Sequence, residues 1–223
     1  MRRLLVVVAL LALGSGLVTV GHPTASVQAH LGGDECAALG GAINIGGECE
    51  VSSFVAATST AHGGSFDIDE TLRITGAGRI DATGGGITIN VDGDLILETP
   101  TAATGGQIEA NDPASPTGSS ASQITLDVTG NMAMQAGTVV EARNATGAGN
   151  GASISITVDG DLAMAASSGA TPGARIDTSA SGASQNSAGA SLTLAVGGDM
   201  EMGSGSVIKG ESAQNGNGTA ISI

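Results

Sequence analysis

The residues best placed to do chemistry are oxygen ligands that return at one position of a repeat. Asp94, Asn131, Asp161 and Asp199 each follow a Gly, and Asp92 and Asp159 add carboxylates beside them. Stacked at a regular spacing, such oxygens can collect Ca2+, a hard cation that takes carboxylate and amide oxygens. A competing reading needs no ligand. Gly-Asp and Gly-Asn are corner chemistry: Gly supplies positive φ, and the Asx side chain accepts a hydrogen bond from a nearby backbone N–H. Thr129 and Asn131 interrupt the carboxylate row, and no Gly-Gly-x-Gly-x-Asp run is present. The four residues are therefore read as a structural turn ladder, and no cofactor is expected.

A second constellation is Arg-Ile-Asp, found at Arg79 to Asp81 and again at Arg175 to Asp177. In a glycan-cleaving site an Arg can act as base while acids hold a cation. Here the two triplets fall at equivalent places in separate repeats, so repetition accounts for them without catalysis. No convergent group of His, acids and nucleophile supports them, which leaves the catalytic and metal sets empty. His30 and His62 are lone histidines, and their spacing to Cys36 and Cys49 is not a zinc pattern.

All of these residues are carried by one recurring sentence. It reads Ile87-Thr-Ile-Asn-Val-Asp-Gly-Asp-Leu-Ile-Leu97, and it starts again at Ile124, Ile154 and Leu192, with an opening fragment at Ile221. A degenerate first copy runs from Phe66 to Ile74. Apolar residues at alternate positions place one face of a strand inward. After the corner comes a shorter second strand. A third piece follows: Arg79-Ile-Asp-Ala82, Gln107-Ile-Glu-Ala110, Val139-Val-Glu-Ala142, Arg175-Ile-Asp-Thr178 and Val207-Ile-Lys-Gly210. Long and short loops alternate between second and third strands. Pro100 and Pro172 sit in the long ones, Pro113 and Pro116 follow a third strand, and none interrupts a strand, as backbone pairing requires.

The spacing predicts an all-β solenoid: three strands per coil, about five coils, and one narrow apolar core. Coils stacked ~4.8 Å apart put like residues on like. Each buried aliphatic then contributes roughly 1.5–3 kcal/mol, provided that a neighbouring coil covers it. Composition agrees. The 223 residues include 37 Gly and two Phe, with no Trp or Tyr, so an aromatic-filled core is excluded. The net charge is −14, and two of the bases, Arg2 and Arg3, lie in the leader. So acidic a chain is repelled by nucleic acid and anionic lipid; the charge is read as serving solubility.

The chain opens with Met1, two arginines and an apolar run to Val20 broken by Gly14, Ser15 and Gly16. Residues 1–29 read as a Sec-type secretory signal peptide, cleaved after Ala29. No later stretch is apolar and long enough for a membrane-spanning helix. In an oxidising compartment Cys36 and Cys49, the only two cysteines, read as one disulfide. Its short loop gives about 3 kcal/mol in the chain-entropy account. Residues 30–63 form a stapled N-terminal cap, since a bare first coil would recruit other chains. Residues 64–223 carry the repeats, and the opening fragment at Ile221 suggests a coil that continues beyond it.

The coils resemble the right-handed parallel β-helix of bacterial surface and secreted proteins. Comparable Ile-x-Val-x-Gly-Asp-Leu and Gly-x-Ile-x-Ala pieces occur in haemagglutinin-like exoproteins and autotransporter passengers. The resemblance covers about residues 64 to 223. It implies export to the cell surface or beyond, with adhesion, surface-layer or biofilm roles and with host or neighbouring-cell surfaces, glycans or matrix as partners. A non-enzymatic surface solenoid is thus the expected function. The alternatives are a β-helical polysaccharide lyase or hydrolase, and a calcium-dependent binding module on the Asp row.

Overall fold

The structure, a computed structural model, describes residues 33–56, 64–82, 85–99, 105–112, 122–144, 152–180, 190–212 and 220–223. The leader, His30, His62, Pro100, Pro113 and Pro116 lie outside the described residues. The described chain is all-β apart from one short helix, Gly33–Ala38.

The strands form three sheets, and from Cys49–Val51 onward each strand pairs with the strand three further along the chain. The first sheet holds Ser65–Ile68, Gly86–Val91, Gln123–Val128, Ser153–Val158, Ser191–Val196 and Ala220–Ser222. The second holds Cys49–Val51, Leu72–Ile74, Leu95–Leu97, Met132–Met134, Leu162–Met164 and Met200–Met202. The third holds Phe54–Ala56, Arg79–Asp81, Gln107–Asp112, Val139–Asn144, Arg175–Ala180 and Val207–Ser212. All of these pairings are parallel and in register. Ile87, Ile124, Ile154 and Leu192 occupy one column, and Leu95, Met132, Leu162 and Met200 another.

Alternation decides what is buried. Ile87, Ile89 and Val91 point inward from one strand and meet Leu95, Leu97, Ile108 and Ala110 of the following two. The buried side chains form one continuous core from Cys36 to Leu194. Cover from both neighbours matters. Met164 is 2% exposed, whereas Met202, next in its column and paired on one side only among the described residues, is 46% exposed.

The N-terminal segment does more than shield an edge. Cys49–Val51 pairs in parallel with Leu72–Ile74, and Phe54–Ala56 with Arg79–Asp81. Two of the three sheets therefore reach back into residues that the sequence assigns to the cap. The remaining part of that segment closes the end. Ala42–Ile43 adds antiparallel to Cys49–Val51, and the helix packs against the start of the first sheet. Cys36 and Cys49 are bonded, with Cα atoms 5.5 Å apart, and are fully buried. The helix stops at Gly40, whose φ of 81° suits a left-handed cap. Val55 lies where a Cβ on that residue would point. No helix among the described residues is long and apolar enough to cross a membrane.

Candidate functional site

The Asx residues sit at the corner between first and second strands, one per repeat, and are bonded to each other along the stack. The backbone N–H of Asn131 donates to Oδ1 of Asp94 at 2.7 Å. That of Asp161 donates to Oδ1 of Asn131 at 2.9 Å, and that of Asp199 to Oδ1 of Asp161 at 2.8 Å. The N–H of Asp94 reaches back to Oγ1 of Thr71 at 3.4 Å. Each side chain thus satisfies the backbone of the neighbouring repeat. The bond needs an acceptor oxygen and no charge, so Asn131 fits a row that otherwise holds Asp. The sequence places the donating N–H nearby in the turn; the structure places it in the next repeat. Among the described residues no group of three or more His, Cys, Asp or Glu side chains is arranged to hold a metal ion.

The corner glycines have a different cause from the one expected. Positive φ occurs at Gly40, Gly47, Gly64, Gly76, Gly137, Gly169 and Gly205, and not at Gly93, Gly130, Gly160 or Gly198. What forbids a side chain at those four corners is close approach. A Cβ on Gly160 would lie 2.5 Å from Oδ1 of Asn131 and 2.7 Å from the Gly130 carbonyl oxygen. Gly130 and Gly198 face Oδ1 of Asp94 and Asp161 in the same way, and Gly93 faces the backbone of Thr71. Positive φ instead serves several corners between second and third strands, at Gly76, Gly137 and Gly205.

The two Arg-Ile-Asp triplets lie in one column of the third sheet, joined by the Gln107-Ile-Glu and Val139-Val-Glu pieces between them. Asp81, Glu109, Glu141, Asp177 and Lys209 are stacked in register. Like charges directly opposite one another destabilise a sheet, and flanking cations offset this. Arg79 spans Asp81 at 2.9 Å and Glu109 at 2.7 Å. Arg143 and Arg175 reach Glu141 at 2.7 and 2.6 Å, and Lys209 reaches Asp177 at 3.3 Å. Phe54 lies over the Arg79 guanidinium, 5.5 Å from ring centroid to charge. Burial pushes the Glu141 carboxyl above its usual range; Arg143 and Arg175 pull it down, and Glu109 and Asp177 push it up. Glu141 and Asp177 are 4% and 1% exposed, so their oxygens are shut away behind the cations that pair with them.

A third cluster ties the N-terminal segment to the repeats. Arg73 grips Glu48 through Nε and Nη2, at 2.8 and 2.9 Å, and also pairs with Glu98. Hydrogen bonds from Arg73, then from Asn44, hold the Glu48 carboxyl down to about 2. The same pairing raises the Arg73 guanidinium above its ordinary value. Sequence spacing gives no sign of this clamp, because its members come from the N-terminal segment and two separate repeats. The acidic column was visible: aligning the third pieces puts an acid at the same place in four of them.

The comparisons with known proteins returned no match: no family model, no curated protein and no solved structure resembles the chain closely enough to name a relative. What the fold defines is a class, an all-β protein of stacked parallel sheets with a disulfide near its N-terminus.

Proposed function

We propose that the chain is a right-handed parallel β-helix of three strands per coil, exported by residues 1–29, that serves outside the cell as a non-enzymatic structural or adhesive solenoid. A right-handed path is the hand favoured for crossovers between parallel strands. The observation that carries the functional reading is how the polar repeat residues are used. Asp94, Asn131 and Asp161 each give an oxygen to the next repeat's backbone. The Arg-Ile-Asp residues belong to a paired column with little exposed carboxylate surface. Both sets of residues that invite catalysis or calcium are thereby occupied in holding repeat to repeat. A buried disulfide suits an oxidising compartment.

Expression with the leader in a bacterial host tests this. The protein should be recovered outside the cytoplasm with His30 at its N-terminus, and it should release no unsaturated or reducing products from acidic polysaccharides. Cytoplasmic retention with residues 1–29 attached, or release of such products, would overturn the reading.

A further inference from the structure

The outer face of the first sheet carries a second regular array, in which one bond between neighbouring strands, from Asn90 Nδ2 to Asp67 Oδ1, serves the scaffold. Ser65, Thr88, Thr125, Ser155, Thr193 and Ser222 stand in one column, in register from strand to strand. Beside it run Asp67, Asn90, Asp127, Thr157 and Ala195. Side chains of both columns point outward, since the alternate residues Ile89, Leu126, Ile156 and Leu194 are buried. Hydroxyls at several corners are engaged within the protein: Thr75 donates to Glu50, Thr138 to Gln135 and Ser206 to Gly203. No hydroxyl of the six-residue column has a hydrogen-bond partner within the described residues. None of Arg73, Arg79, Arg143, Arg175 and Lys209 lies on this sheet, and Phe66, its one aromatic residue, is buried.

We propose that this face binds ice. Neighbouring strands set the hydroxyls ~4.8 Å apart along a column, and alternate residues of a strand set the two columns ~6.7 Å apart. A rigid sheet thus presents hydrogen-bonding groups on a two-dimensional grid close to the oxygen repeat of an ice surface. Ordered waters held by such groups are nearly as favourable as direct hydrogen bonds, and a pre-set grid spares the ordering cost of binding. Other partners fit less well. A sugar site places its ligand with aromatic and convergent polar groups in a concavity, and this face has neither. A protein interface has a buried apolar or aromatic centre, and the outward residues here are hydroxyls, Asx side chains, Gln123, Gly86 and Ala.

The test uses the full mature chain, oxidised, mixed with growing ice. Wild type should partition into the ice fraction and show a gap between melting and freezing points. Thr125→Tyr with Thr193→Tyr should abolish both, while circular dichroism shows an unchanged β spectrum; bulky β-formers are tolerated on an outward strand position. Asp127→Lys, which sets a long hydrated cation on the grid, should also reduce ice retention. Ala163→Tyr, on the outer face of the second sheet, should leave both readouts intact. Absence of partition and gap in wild type, or equal loss in Ala163→Tyr, would overturn the proposal. So would retention by crystalline chitin or cellulose in place of ice. The scaffold reading survives any of these results, because a solenoid with an inert face remains a scaffold.

Discussion

Replacing Gly160 by Ala separates two physical effects that have opposite signs. Gly160 has no positive φ, so Ala costs nothing in backbone strain there. On unfolded-state entropy alone the change should stabilise the protein by about 0.4–1 kcal/mol. The neighbouring repeat reverses this. The new Cβ would sit 2.5 Å from Oδ1 of Asn131 and 2.7 Å from the Gly130 oxygen. Asn131 must swing away, which breaks its 2.9 Å bond with the Asp161 N–H. That loss is worth about 0.5–1.5 kcal/mol. Relieving the backbone contact strains the 3.0 Å bond from the Gly160 N–H to the Gly130 oxygen, an overpacking cost of about 1–3 kcal/mol. The balance is a net destabilisation of about 0.5–4 kcal/mol. Urea unfolding followed by circular dichroism reads it directly. Combining Gly160→Ala with Asn131→Ala should recover part of the loss through a coupling of about 0.5 kcal/mol or more. A Gly160→Ala protein as stable as wild type, or more so, would refute the close-approach account of the corner glycines.

The ladder itself predicts that Asp161→Asn is nearly neutral, since an acceptor remains, whereas Asp161→Ala costs about 0.5–1.5 kcal/mol; the wild-type melting temperature should not move between calcium and chelator. In acid two carboxyls pull in opposite directions. Glu48, held down to about 2 by Arg73 and Asn44, contributes stability that is present above its unfolded value of about 4.3 and lost as pH falls through its folded one. Glu141 has a raised folded value, so its contribution is largest below the unfolded value and lost as pH rises through the folded one. Denaturation measured from neutral pH down to the acid limb should therefore fall less steeply in Arg73→Ala and more steeply in Glu141→Gln than in wild type. Reducing the Cys36–Cys49 bond should cost about 2–4 kcal/mol, and hydrogen exchange should rise first in Cys49–Val51 and Leu72–Ile74, which that bond anchors.

The parts legible in the sequence are those governed by a short period. Ile-x-Ile-x-Val alternation marks the first strands because every second residue is inward, and the structure buries Ile87, Ile89 and Val91 accordingly. The Cys36–Cys49 pairing was readable because only two cysteines exist. Third strands were harder. The sequence pieces end near Ala110 and Ala142, yet the strands run on to Asp112 and Asn144. Their last residues are small or polar and carry no apolar signal, and pairing with the neighbouring strand keeps them extended. The parallel strands Cys49–Val51 and Phe54–Ala56 carry no such signal either, as three-residue segments too short to show a period. At the Gly-Asx corners the sequence points to φ where close approach is the cause, because a single repeat gives no view of the repeat stacked on it. Interactions between repeats decide Gly160, Arg73 and the column from Asp81 to Lys209, and their residues are far apart along the chain.

In-register stacking is the claim on which the rest depends, and a single distance tests it most directly. Ser65 and Thr193 lie in one column, joined through Thr88, Thr125 and Ser155. Strand spacing puts their backbones about 19 Å apart. Spin labels on Ser65→Cys and Thr193→Cys, with the native disulfide intact, should give one narrow dipolar distance distribution near that value once label length is included. A broad distribution, or one centred well beyond it, would contradict the stack.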